Sequence, residues 1–202
     1  MLWLPLGLIV SFIFWCILDR IVCPKRIEHE TVLSLLNLCF IMIVSVYIRI
    51  QGEMDTSSPF IVCVLLSMIG YNLVDGIGVW IKKEWHFVFH HAMVILTSLY
   101  LITHPGEYTH LAWLSGPLEF TSIFYNLTSL HQMKLIHIKR IHLYIGWVIF
   151  ALIRFYCSYI LLYVHLWTNF YEYNFLMTIS SLGISFFSIL APFVLLRNLI
   201  QQ

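Results

Sequence analysis

The sequence predicts an all-α integral membrane protein with seven transmembrane helices. Three observations carry that prediction. Of the 202 residues, 60% are apolar or aromatic and only 10% are charged, against about 25% charged in a soluble domain. The apolar residues gather in runs long enough to cross a bilayer core of about 30 Å, which takes about 20 residues as a helix. The connections between runs are short and leave no room for a soluble domain. The formal net charge of +1 excludes a strongly basic field for nucleic acid and an acidic interaction tail.

The first run is Leu2–Leu18. Its positive charges, Arg20, Lys25 and Arg26, follow the apolar stretch where a signal peptide would place them before it. A retained anchor is therefore expected. The next runs are Val32–Ile48, Pro59–Ile81, Trp85–Ile102, Leu111–Leu130, Ile141–His165 and Asn174–Leu196. Trp3, Trp80, Trp85, Trp113 and Trp167 fall near run ends, where interfacial tryptophans anchor a span. The five cysteines, Cys16, Cys23, Cys39, Cys63 and Cys157, form no CxxC pair and read as buried apolar thiols. The one glycosylation-like triplet, Asn126-Leu127-Thr128, lies inside an apolar run, so no glycan is expected there.

Loop charge predicts orientation. Arg20, Lys25 and Arg26 follow the first run, and Lys82 and Lys83 follow the third. Lys134, Lys139 and Arg140 follow the fifth, and Arg197 is in the tail. Nine of the eleven cationic residues thus fall on one side. Arg49 is on the other side, beside Glu53, Asp55, Glu107 and Glu172. The N-terminus is expected to be lumenal or outside and the C-terminus cytosolic, which requires an odd number of spans.

Ionisable groups inside the runs are the candidate functional residues, because charge is costly at membrane depth and marks cavities or pathways. At 1.5 Å per residue, Asp75 lies about 9 Å from the cytosolic end of its run, and His90 and His91 about 8–9 Å. Asn126 lies about 6 Å and Ser122 about 12 Å from that end, with Asn37 at a similar level. Glu119 and Arg154 share a deeper layer, about 16–20 Å in, which suggests a buried ion pair. Asn37, Asn72, Ser122 and Ser185 also fit plain interhelical hydrogen bonding, and the Glu119–Arg154 pair fits a structural role equally. The adjacent histidines point about 100° apart on a helix. One can face a cavity while the other bonds a partner that fixes its tautomer.

Gly70-Tyr71, Asp75, Trp85 and His90-His91, followed by the stretch from Leu118-Glu119 through Thr121-Ser122 to Tyr125-Asn126, resemble the signature of the TLC-domain family. That family holds the ceramide synthases, the translocation-associated membrane proteins and a set of small TLC-domain proteins. The resemblance covers about residues 30–200. It divides the chain into a first transmembrane helix and basic loop, 1–30, and a TLC-like six-helix domain, 31–202. It implies a six-helix bundle or barrel around an acyl-chain tunnel. In ceramide synthases the equivalent of His90-His91 lies in the catalytic site for acyl transfer from acyl-CoA to a sphingoid amine. There a His-Asp pair and a further Asp follow; here stand Pro117-Leu118-Glu119 and later Asn126. The match is closer to the small TLC-domain proteins. Their proposed roles are phospholipid composition, membrane fluidity, ceramide formation and cargo handling in the endoplasmic reticulum.

Three functional readings follow. The first is a lipid acyltransferase. His90 or His91 is the general base or transient nucleophile on a thioester, and Asp75 orients the imidazole as a carboxylate does in a triad. Asn126 or Ser122 donates to the developing oxyanion. Glu119, Ser122, Arg154 and Asn37 line the substrate path. Lys82, Lys83 and Lys134 stand where CoA phosphates would dock, although the positive-inside rule alone also accounts for them. Acyl-CoA is the candidate substrate, with membrane sphingoid or phospholipid partners, no tightly bound cofactor or metal, and a homodimer left open. The second reading is a non-catalytic lipid-binding, membrane-regulating or cargo-handling protein. The third is a di-iron lipid desaturase or hydroxylase, because His86-x3-His90-His91 matches one histidine box of that family and His137-x4-His142 resembles another. A second paired-histidine box is missing from the sequence.

Overall fold

The computed structural model describes residues 3–22, 33–41, 43, 58–104, 109–163 and 175–200. Every regular element among them is an α-helix. They are α1 (Trp3–Val22), α2 (33–41), α3 (Pro59–Ile81), α4 (Trp85–Thr103), α5 (Thr109–Gln132), α6 (Arg140–Tyr163) and α7 (Phe175–Ile200). Five of them are long and apolar enough to cross a membrane, over Leu4–Ile21, Pro59–Ile81, Trp85–Thr103, Arg140–Tyr163 and Thr178–Ile200. α5 has 24 residues but carries Glu119, Ser122 and Asn126, and is not one of the five. The expected run Val32–Ile48 is described only at 33–41 and 43.

The helix ends follow from local sequence. Pro59 opens α3, where a missing N–H costs nothing. α3 closes on a paired-hydrogen-bond cap. Lys83 N–H donates to Trp80 O at 3.0 Å and Glu84 N–H to Val79 O at 3.0 Å, with Lys83 left-handed at φ 61°. The same cap ends α5, with Lys134 N–H on His131 O, Leu135 N–H on Leu130 O, and Lys134 at φ 61°. Trp80 and Trp85 meet edge-to-face at 5.0 Å across the first of these turns, and both are exposed.

Large apolar side chains cover the outside of the helices. On α6, Ile141, Ile145, Leu152, Tyr156 and Tyr159 are exposed, while Phe150, Arg154, Cys157 and Leu161 are buried. Such a continuous apolar exterior would drive association in water and suits contact with lipid. It also corrects the reading of the cysteines. Cys157 is buried, but Cys39 and Cys63 are exposed. A thiol on a membrane helix gains little from turning inward, because the outside is as apolar as the core.

The chain forms two compact units, Met1–Trp113 and Leu114–Gln202. In the first, α3 packs against both α1 and α4. The α1–α3 contact is close and parallel. The Ser11 hydroxyl donates to Leu66 O at 2.8 Å and Trp15 Nε1 to Ser67 Oγ at 3.2 Å. Trp15 then meets Tyr71 edge-to-face at 5.3 Å. Gly70 permits this approach, since a Cβ there would stand 2.8 Å from the Ser11 carbonyl carbon. Trp15, Leu33 and Tyr71 form a buried cluster, with Leu18 and Val74 packed against it.

In the second unit, α6 packs on α7. Trp147 Nε1 donates to Pro192 O at 2.8 Å, and Phe155 meets Phe193 at 6.2 Å. Phe124 of α5 packs over Gly146 of α6, where a Cβ would come within 2.8 Å of its ring.

Candidate functional site

The site is built on one face of α3. Tyr71, Asn72 and Asp75 are spaced three and four residues apart, so their side chains stack on one stripe of the helix. The capped turn at Lys82–Glu84 reverses the chain, and α4 brings His91 back against that stripe. The Asp75 carboxylate Oδ2 receives the Tyr71 hydroxyl at 3.1 Å and lies 3.1 Å from His91 Nε2. Asn72 Oδ1 lies 2.6 Å from His91 Nδ1. The rings of Tyr71 and His91 stand edge-to-face at 6.5 Å. The side chains of His91 and Asp75 are about one-tenth exposed, at 9% and 11%.

The hydrogen-bond order can be read from the acceptor side. Asn72 Nδ2 donates to Met68 O at 2.7 Å, which turns Oδ1 toward the imidazole. An amide oxygen only accepts, so His91 Nδ1 carries a proton and donates. The second nitrogen, Nε2, faces Asp75 Oδ2 at 3.1 Å. Asn72, His91, Asp75 and Tyr71 thus form one continuous chain of polar contacts. It is also complete within the protein, since each ring nitrogen of His91 has a partner.

Trp15 packs on Tyr71 from α1, so the first helix helps to hold the residue that donates to Asp75. Asp75 also lines a cavity of roughly 500 Å³ bordered by α1 and α3. The His90 ring lies 5.5 Å from that of His91 and is only partly buried. Asn37 is buried at 2% exposure, and its Oδ1 lacks a hydrogen-bond partner among the described residues. Among the described residues, no three His, Cys, Asp or Glu side chains group as metal ligands.

The remaining expected site residues belong to the second unit. Arg154 is buried on α6 and reaches α5. Its Nε donates to Thr121 Oγ1 at 3.0 Å, and Nη2 donates to Ser122 Oγ at 3.1 Å and Leu118 O at 3.3 Å. Phe150 lies under the guanidinium at 4.8 Å. The side chain of Glu119 lies outside the described set, so its expected pairing with Arg154 does too. Asn126 and Thr128 are buried at 6% and 3% exposure, within the helix.

The structure thus brings Asp75 to His91 and Arg154 to Ser122. It adds Tyr71, Asn72 and Trp15 to the first group and Thr121 to the second. The spacing of Tyr71 and Asn72 from Asp75 was the one signal that could have found the first two; Trp15 had no signal, because only tertiary packing carries α1 to Tyr71. Compared with known proteins, the chain matches no family model, no curated protein and no solved structure.

Proposed function

We propose that this is a lipid-handling membrane protein that transfers an acyl group from acyl-CoA to a lipid amine or hydroxyl, in the manner of a ceramide synthase. The Asp75–His91 pair is its acid–base centre. The single observation behind this reading is the buried chain Asn72–His91–Asp75–Tyr71. A carboxylate in contact with an imidazole can take up a proton and return it. As the acceptor nitrogen or oxygen attacks the thioester carbon, its proton passes to the pair. The carbon–sulfur bond then breaks, and the departing CoA thiolate takes that proton back. No net proton remains on the protein. Tyr71 steadies the carboxylate and Asn72 holds the imidazole tautomer.

The TLC-like resemblance carries the acyl-CoA donor, the tunnel-forming helix bundle and the endoplasmic reticulum location. The loop charges support a cytosolic C-terminus, which would put the site on the side where acyl-CoA is soluble. A second reading, a lipid-binding protein without turnover, is favoured by the closure of that same chain. Both nitrogens of His91 already have partners inside the protein, so substrate must displace Asp75 to reach Nε2. Purified protein reconstituted with acyl-CoA and a long-chain amine discriminates the two. Acyl transfer above the protein-free rate supports the first reading. A co-purified lipid with no turnover across acyl-CoA chain lengths overturns it in favour of the second.

A further inference from the structure

We propose that the groove between α1 and α3 is a binding site for a zwitterionic phospholipid whose headgroup carries a primary ammonium. The cavity is roughly 500 Å³, within the range of about 300–1,000 Å³ that holds small-molecule ligands. Its walls are hydrocarbon over most of their length, and Ile13, Ile17 and Ile77 both line it and stand about half exposed. The groove therefore opens where lipid chains lie. Among the described residues its charged groups are Asp19, Arg20 and Asp75.

The parallel packing of α1 on α3 sets these charges level. Trp15 meets Tyr71, and one turn further along each helix come Asp19 and Asp75. Two carboxylates and one guanidinium thus share the end of an apolar groove. That arrangement complements a headgroup bearing both an ammonium and a phosphate. A primary ammonium offers three N–H donors to carboxylates, whereas a quaternary one offers none. A guanidinium matches phosphate oxygens in a two-pronged geometry. Arg20 is exposed, and its long stem lets the charge reach the headgroup layer. Among the described residues, Tyr71 and His91 both contact Asp75 through Oδ2. The site shares Asp75 with the acyl-transfer reading and adds Asp19 and Arg20, which have no part in that reading, so variants at those two residues test the lipid site separately.

The test is native mass spectrometry of the full chain in micelles, with phosphatidylethanolamine, phosphatidylcholine or phosphatidylglycerol of matched chains. The ethanolamine lipid should be retained about tenfold better than the other two, the equivalent of one charge-assisted hydrogen bond. Asp19→Asn and Arg20→Gln should each abolish that preference in folded protein. Ile17→Trp, which fills the groove and leaves its charges intact, should lower retention of all three lipids, so the proposal stays testable if a charge variant misfolds. Equal retention of the three lipids by the wild type overturns it, as does an unchanged preference in both charge variants. A long-chain alkyl amine that displaces the phospholipid equally well from wild type and Arg20→Gln also overturns it, because the phosphate is then not recognised.

Discussion

At the scale of single residues, the decisive feature is that His91 is held from both sides. Asn72 takes Nδ1 and Asp75 takes Nε2. Removing one partner of a buried polar pair strands the other, at a cost of about 1–3 kcal/mol. Asn72→Ala should therefore lower stability by about 2 kcal/mol, read from thermal unfolding in detergent. In a double-mutant cycle with His91→Ala, the two losses should fall short of additivity by at least about 0.5 kcal/mol. Additive losses would show that the amide and imidazole do not interact. Tyr71→Phe should cost less, about 1 kcal/mol, since one hydrogen bond to a carboxylate is lost and no cavity forms. Asp75 and His91 were legible in the sequence because ionisable side chains stand out in a hydrocarbon run. Tyr71 and Asn72 were harder to read, because Tyr and Asn occur in membrane helices for many reasons, and their part depends on which face α4 meets.

At the scale of elements, the α3–α4 hairpin was the most legible part of the chain. Pro59 and the lysine pair at 82–83 bracket a run whose helix is Pro59–Ile81. The expected run at Trp85 likewise became α4. The cap itself uses Lys83 and Lys134 in a left-handed conformation that favours glycine by about 1–2 kcal/mol. Lys83→Gly should raise stability by up to about 1 kcal/mol, the greater freedom of glycine in the unfolded chain offsetting part of the gain. A loss of stability would mean that the lysine side chain contributes more than its backbone strain costs. The role of α1 was not legible. Its sequence reads as an anchor, yet it donates to α3 through Ser11 and Trp15. Gly70→Ala tests that role. The new methyl group would press on the Ser11 backbone, and overpacking of this kind costs about 1–3 kcal/mol. It should also weaken the Trp15–Tyr71 contact, visible as a change in tryptophan fluorescence. An unchanged spectrum would place α1 away from α3.

At the scale of the whole molecule, composition and run length pointed to a helical membrane protein, and five of the described helices are long and apolar enough to cross a membrane. Leu152 sits mid-helix on α6 and is 64% exposed. Leu152→Lys should reduce membrane integration, because a lysine at the centre of a span costs about 3 kcal/mol. Phe150→Ala, two residues away but 1% exposed, should instead leave integration intact and lower stability by about 3–5 kcal/mol. Equal behaviour of the two variants would contradict the division between lipid-facing and buried sides. The span count was less legible, because α5 mixes apolar residues with Glu119, Ser122 and Asn126, so hydropathy and helix length disagree there. The central claim is that the Asp75–His91 pair moves the proton in acyl transfer. Its most direct test is the acyl-transfer rate of reconstituted Asp75→Asn and His91→Gln, with Cys63→Ser, an exposed thiol outside the site, as a control. Both site variants should lose at least about 100-fold, the usual contribution of a general acid–base group, while the control keeps the wild-type rate. Full rates in both folded site variants would contradict the account.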